Sequence, residues 1–232
     1  MVLSLVGLLS GRCVPARRTT PDRLTEDGFR RLFEATVAIR VAQPGGRSRT
    51  GSGFVATRDG WVVTSSHVVG EGQVVPILDY ASQESSSAEV VYAWRARDLA
   101  VIIPRHPPAV EPLRFGDSDR IEPGQALFTC GLPFGLGRVV TRGVVDGRVA
   151  FESPRYVVWD GILANGISHP GDSGGPVVTA DGRVVGVHLG SVSSERRAVI
   201  PGALVKRTLV EARVRAEHRA RSRNLYSASA RW

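Results

Sequence analysis

The sequence predicts an all-β chain built from barrels, and three observations carry that prediction. Short apolar segments recur with little helical periodicity, and glycine, proline, asparagine, aspartate and serine punctuate them. A proline-bearing stretch, Pro104 to Pro112, parts these segments into two groups and reads as a linker between lobes. A glycine-rich turn, His169-Pro170-Gly171-Asp172-Ser173-Gly174-Gly175, runs directly into the apolar strand Pro176-Val177-Val178 of the second group. With 232 residues and 42% hydrophobic content, the chain can bury a substantial core in one unit or in two fused lobes.

In chain order, Met1 to Ser10 is apolar but too short to span a bilayer as a helix, and no basic residue precedes it. A truncated secretory signal, a lipoprotein signal ending at Cys13 and a cytosolic leader are the three readings; Arg12 argues against lipidation. From Thr25 to Phe33 an N-cap candidate, early acids and later arginines suit a short helix. Gln43 to Thr50, with a proline, two glycines and two arginines, reads as an exposed loop. Strands follow at Gly53–Ala56, Trp61–Thr64, Gln73–Leu78, Glu89–Trp94 and Leu99–Ile103, with Ser82–Ser87 as a loop tip. The second lobe supplies Ala126–Cys130, Val139–Val145, Tyr156–Trp159, Pro176–Thr179, Val184–Leu189 and Ala198–Ile200. Ala203-Leu204-Val205 and Leu209-Val210 fall on helical spacing and read as a helix capping the second lobe.

The glycine-rich turn is where chemistry concentrates. A serine is a poor nucleophile at its free pKa, so a hydrolytic serine needs a base in hydrogen-bond reach and donors aimed at the developing oxyanion. Glycines beside Ser173 let a carbonyl approach the amides of Gly171 and Ser173. Among the five histidines, His67 ends the β-rich run that contains the Asp59-Gly60 turn, where a ring can be held rigidly. Asp98 opens the apolar strand Leu99-Ala100-Val101-Ile102, where a desolvated carboxylate needs a partner such as an imidazole N–H. His67, Asp98 and Ser173 each have a plain structural alternative as turn or strand-end residues; together, in that order, they point to nucleophilic catalysis.

These pieces resemble the trypsin-like serine peptidases of chymotrypsin fold and, within them, the HtrA/Deg group. The resemblance rests on GSGFVATRDGWVVTSSHVV around His67, RDLAVI around Asp98, the Leu-Pro-Phe-Gly-Leu-Gly segment at 132–137, HPGDSGGPVVTADGRVVGVHLG at 169–190 and the Ala-Val-Ile-Pro ending at 198–201. It implies two six-stranded antiparallel β-barrels with a short N-terminal helix and a C-terminal helix. The peptidase domain would span 24–210, with a first barrel near 35–105 and a second near 117–201, after a leader at 1–23. It places a helix before a first strand at Thr36–Val41, and its relatives raise trimer contacts through Phe29 and Phe33, against which intramolecular packing stands as the alternative. His67, Asp98 and Ser173 would be the triad, with Gly171, Asp172 and Ser173 forming the oxyanion loop and the N–H groups of Gly171 and Ser173 as donors.

Two departures from the HtrA/Deg pattern bear on specificity and activation. Val187-His188-Leu189-Gly190 resembles the Gly-Ile-His segment of glutamyl endopeptidases and picornavirus-type cysteine peptidases, and Ser168 falls where glutamyl endopeptidases carry a hydroxyl residue. Ser168, His169 and His188 are therefore candidate S1 residues, and a P1 Glu or Gln preference is set against an apolar S1 taking small aliphatic side chains, with His188 a satisfied core histidine. Asp172 stands where those relatives usually have asparagine; its partner would be a new N-terminus, an arginine or nearby backbone amides.

The expected activity is a serine endopeptidase acting on protein or peptide substrates through an acyl-enzyme; a latent peptidase-fold binding protein is the alternative class. No cofactor is implied, the histidines form no zinc pattern, and no nucleotide motif is present. Cys13 and Cys130 make no disulfide framework, so the redox compartment stays open. Arginines at 213, 215, 219, 221, 223 and 231 form a basic tail at 211–232 in a chain of net charge +8. The tail reads as a solvated end, with nucleic acid or an anionic membrane as the alternative contact. Export is favoured over a cytoplasmic location because relatives of this type are often exported.

Overall fold

The computed structural model describes residues 21–79, 84–152, 157–166, 168–193 and 195–229. Residues 1–20 of the expected leader at 1–23, with Cys13, lie outside these, as do Ser82 and Gln83 of the expected loop tip, Tyr156 at the start of an expected strand, and Arg231.

Six antiparallel strands close the first barrel: β1 (Thr36–Ala42), β2 (Ser48–Val55), β3 (Val62–Thr64), β4 (Val74–Asp79), β5 (Glu84–Trp94) and β6 (Leu99–Pro104), in the order β1-β2-β3-β6-β5-β4. Six more close the second: β7 (Ala126–Gly131), β8 (Val139–Glu152), β9 (Val157–Asn165), β10 (Pro176–Val178), β11 (Val184–Ser191) and β12 (Arg196–Pro201), in the order β10-β11-β12-β9-β8-β7. Read from its first strand, each barrel has the same topology. Val37, Ile39, Phe54, Val62, Leu99 and Ile102 fill the first interior, and Leu127, Val145, Ile162, Val177, Val185 and Val199 form the core cluster of the second. Closure leaves neither sheet with an unpaired edge. The tight link from β2 to β3 is a turn in which Gly60 N–H donates to Thr57 C=O (2.9 Å), with Gly60 at φ 78°.

Helix α1 (Glu26–Ala35) starts where expected: the Thr25 hydroxyl accepts from Gly28 N–H at 3.1 Å, and Glu26 and Asp27 occupy its first turn. Leu32 and Ala35 are buried, while Phe29 and Phe33 stack with centroids 5.6 Å apart and the Arg138 guanidinium lies over Phe33. Helix α2 (Ser66–Val69) is a single turn that carries His67.

Several stretches differ from the sequence reading, β8 and β9 among them, which run on to Glu152 and Asn165 as a long paired ladder instead of ending near Val145 and Trp159. Ser48 to Thr50 belongs to β2 rather than to a loop, because Arg40, Val41 and Ala42 of β1 pair with Thr50, Arg49 and Ser48. Ser85 to Ser87 belongs to β5, its backbone paired with Leu78, Ile77 and Pro76 of β4; a run of serines with weak strand preference is recruited by its neighbour. The C-terminal helix α3 (Gly202–Ser229) continues well past Val210 through the stretch read as a tail. It packs on β5 and β6 of the first barrel as well as on β11 and β12 of the second, rather than capping the second alone. Val205, Thr208 and Ala212 are fully buried along it. Its arginines take the place of an apolar face: Arg213 lies over Trp61 (4.1 Å) and pairs with Asp59, and Arg215 lies over Tyr92 (4.6 Å). Arginine stems cover apolar surface while the guanidinium stays wet. Among the described residues no helix is long and apolar enough to cross a membrane.

Candidate active site

His67 sits on α2, just beyond β3. Its Nδ1 is 2.7 Å from Asp98 Oδ2, and its own backbone N–H donates to Asp98 Oδ1 at 2.8 Å. Asp98 is fixed from several sides. It takes a left-handed conformation (φ 54°) after a single 3-10 turn, Ser66 Oγ donates to its Oδ1, and its own C=O accepts from Ser66 N–H at 3.1 Å. A non-glycine residue held in that region is a local strain that the surrounding bonds sustain. With Asp98 only 1% exposed, its carboxylate is desolvated and hydrogen-bonded on both oxygens, which fixes the plane of the His67 ring. Ahead of it, Arg97 donates to the Val157 carbonyl of β9, tying this turn to the second barrel.

The nucleophile loop is clamped between barrels. Ser173 C=O accepts from Ser52 N–H (2.8 Å), Gly171 C=O accepts from Ser52 Oγ (2.7 Å), and the same Oγ accepts from Leu132 N–H (3.1 Å). Thr64 Oγ1 donates to Ser52 C=O at 2.6 Å, linking the clamp to the strand that leads to His67. Gly174, at φ 87°, lies so close to Ser52, Thr64 and Ser65 that a Cβ would meet the Ser52 carbonyl at 2.2 Å. Gly171, at φ 108°, would meet the Leu132 carbonyl at 2.0 Å. The glycines therefore bring Ser173 against the strand–helix junction of His67. Among the described residues neither Gly171 N–H nor Ser173 N–H donates to a protein acceptor, whereas Asp172 N–H closes a turn on His169 C=O at 3.1 Å. Ser173 Oγ donates to the Leu189 carbonyl at 3.2 Å, and among the described residues no hydrogen bond joins it to His67.

Behind the loop lies a polar corner. His188 is fully buried, its ring interacts with the Asp172 backbone but makes no well-formed hydrogen bond among the described residues, and burial, helped by the Arg197 cation, pushes its pKa down to about 3. Asp172 accepts from His169 N–H at 2.8 Å, and burial pushes its carboxyl above the usual carboxylate range. Of the partners expected for it, a backbone amide is the one present, with Arg197 acting through space. His169 turns to this carboxylate (Nδ1 to Oδ2, 3.8 Å) and to the edge of Phe134, not to His188. Ser168 is half-buried, and its carbonyl accepts from Ser191 Oγ at 3.4 Å. Among the described residues no three histidine, cysteine or acidic side chains gather as a metal site.

Comparison with known proteins follows this geometry. The model of the trypsin-like peptidase domain family matches residues 51–187, which carry all three of His67, Asp98 and Ser173. The chain belongs to the trypsin-like peptidase domain family. Among curated proteins it is similar to a probable periplasmic serine endoprotease DegP-like of Ectopseudomonas mendocina, 32% identical over 69% of this chain and 34% of the relative. The chain thus spans about a third of that relative's length. Among solved structures, the active form of the Rv3671c protease from M. tuberculosis superposes with a TM-score of 0.71 at 22% identity, over 90% of this chain and 93% of that one. The HtrA-type protease AlgW with tripeptide gives 0.66 at 24% identity, over 77% and 60%. At these identities the two structures speak to the fold.

Two residues with a place in this site went unread in the sequence. Ser52, in Gly51-Ser52-Gly53, bears the signal of a close backbone approach, a small residue flanked by glycines inside a strand. Arg197 had no local signal; its neighbours come from β8, β9 and β11, far apart in sequence.

Proposed function

We propose that this chain is a serine endopeptidase in which His67, Asp98 and Ser173 act as the triad. The observation that carries the reading is the two-point grip of Asp98 on His67, at Nδ1 and at the backbone N–H, beside a serine on a glycine-held loop. In the reaction, Ser173 Oγ leaves the Leu189 carbonyl for His67 Nε2 and attacks the peptide carbonyl as His67 takes its proton. Hydrogen bonds of this kind commonly tighten only once substrate is bound. Asp98 holds the ring in the tautomer with Nδ1–H and stabilises the imidazolium, and His67 then protonates the leaving amine. The free N–H groups of Gly171 and Ser173 take the oxyanion, each such donor being worth about 2.7–4 kcal/mol in a related site.

The finer reading is a P1 Glu or Gln preference, with His188 at the base of S1 and Ser168 at its rim. The buried His188 supports it: apart from an interaction with the Asp172 backbone its ring makes no well-formed hydrogen bond among the described residues, which leaves hydrogen-bonding capacity for a substrate side chain. The DegP-like relative is named periplasmic, which supports export, and protein or peptide substrates follow from the peptidase reading. The test is cleavage of a P1-diverse peptide library by the purified chain with Ser173→Ala as control. Cutting after Glu or Gln that vanishes in the variant supports both parts; cutting after Val, Ala or Leu keeps the triad and removes the polar S1. An absence of cleavage together with an absence of fluorophosphonate labelling at Ser173 overturns the peptidase reading.

A further inference from the structure

Five buried side-chain polar atoms lack a partner among the described residues, and four of them belong to His169, His188 and Arg197, around one corner of the nucleophile loop. Arg197 is the least expected member. It is 3% exposed, its Nε has no acceptor, and its terminal nitrogens reach only neutral oxygens, Thr141 Oγ1 at 3.2 Å and the Arg142 carbonyl at 3.4 Å. The one anion that acts on it, Asp172, does so through space and is itself bound by the His169 N–H. A guanidinium taken out of water without a contacting counterion is costly, and nothing in the barrel core requires one there.

Register places this cation on the strand face that His188 shares. His188 of β11 pairs with Val199 of β12, so the two share a face, and Arg197, two residues before Val199, lies on that face as well. Across the ladder Arg197 faces Ser191, whose hydroxyl donates to the Ser168 carbonyl. Room is made for the guanidinium by Gly166, where a Cβ would meet Arg197 Nη2 at 1.9 Å. In the endopeptidase reading, a peptide carbonyl held by Ser173 and the amides of Gly171 and Ser173 would direct the side chain of its residue toward the space between the 168–172 loop and the 189–191 segment. A Cβ at Gly190 would meet nothing within 4 Å, so that wall is open.

We infer that Arg197 is a specificity-determining residue whose missing counterion is the side-chain carboxylate of the P1 residue, so that the site selects a P1 carboxylate over the isosteric amide, with His188 as a neutral hydrogen-bonding partner. The inference rests on the endopeptidase reading and narrows its P1 Glu or Gln preference to Glu, with Asp as the shorter acid. A neutral histidine alone serves an amide as well as an acid; the buried cation breaks that tie. A site built around a polar group it must satisfy rejects the ligand that leaves it unpaired.

The test compares matched peptides with Glu, Gln, Asp and Val at P1 against the full chain and its Arg197→Met and Arg197→Lys variants. The expected kcat/KM ratio of Glu to Gln is on the order of 100 for the unsubstituted chain, collapses to within about threefold in Arg197→Met through the loss of Glu cleavage, and is partly kept in Arg197→Lys. A unit ratio in the unsubstituted chain, or a ratio near 100 that persists in Arg197→Met, overturns the inference while leaving the peptidase intact. Calorimetric binding of acetyl-Ala-Ala-Glu amide and acetyl-Ala-Ala-Gln amide to the Ser173→Ala chain, with and without Arg197→Lys, reads the same preference without turnover. Equal binding of the two amides overturns it even if Arg197→Met fails to fold. Loss of all cleavage and of Ser173 labelling counts against the endopeptidase reading, and the calorimetry then decides the Arg197 inference by itself.

Discussion

Replacing Ser52 by alanine removes one oxygen and isolates two groups. The Ser52 hydroxyl donates to Gly171 C=O and accepts from Leu132 N–H, and Ser52 is fully buried, so water cannot replace it in either bond. Each buried group left unpaired costs roughly 1–3 kcal/mol, and the two together about 2–4 kcal/mol once partial relaxation is allowed. For a chain of this size that lowers the thermal midpoint by about 5–12 °C. The bond from Ser52 N–H to Ser173 C=O is backbone and survives, so the fold persists while the Gly171 peptide loses its anchor. The oxyanion donors are then less well held, and kcat falls more than KM rises. Thermal melts and peptide hydrolysis on the purified variant measure both effects. A Ser52→Ala chain with a midpoint within 1–2 °C of the parent, within the scatter of about ±0.5 kcal/mol that neutral substitutions show, and an unchanged kcat would refute the clamp.

Other substitutions probe separate parts of the molecule. Gly171→Ala places a Cβ against the Leu132 carbonyl at a φ of 108°, so fluorophosphonate labelling of Ser173 is expected to slow by about 100-fold or more, with labelling at the parent rate counting against the loop geometry. His188 titrates at 6.5 when unfolded but at about 3 in the fold, so the unfolded chain binds the extra proton between those values. The His188 contribution is therefore complete above pH 6.5 and is lost as pH falls toward 3, at up to roughly 1.4 kcal/mol per pH unit. Urea unfolding at pH 7 and pH 4.5 is expected to show the parent losing about 2–3 kcal/mol more than His188→Gln, and parallel losses would contradict the burial of a neutral ring. Burial pushes the Cys130 thiol up to about 11, so iodoacetamide at pH 8 should leave it unmodified in the folded chain and alkylate it in urea, as peptide masses would read out.

Much of this architecture is legible in the sequence because strand chemistry is local. Val62-Val63-Thr64, Leu99 to Ile103 and Ala126 to Cys130 announce themselves by apolar content and by the turn residues around them, and the Thr25 cap marks where α1 begins. The Ser85–Ser87 part of β5 does not, because its pairing with β4 outweighs the weak preference of serine for strands. The continuation of helix α3 past Val210 was hidden for a different reason. Its buried face past Val210 is made of Ala212 and arginine stems laid over Trp61 and Tyr92, so no apolar stripe appears. Within the site, His67, Asp98 and Ser173 stand out by motif, whereas Arg197 becomes visible only when strands β8, β9, β11 and β12 bring its neighbours together.

The most direct measurement is the rate and position of fluorophosphonate labelling in the parent chain and in His67→Ala, Asp98→Asn and Ser173→Ala. The account predicts a single adduct on the peptide containing Ser173, absent in Ser173→Ala and slowed by roughly 1,000-fold or more in the other two variants. An adduct on another residue, or an unchanged rate in His67→Ala, would contradict the proposal that these three residues act as one triad.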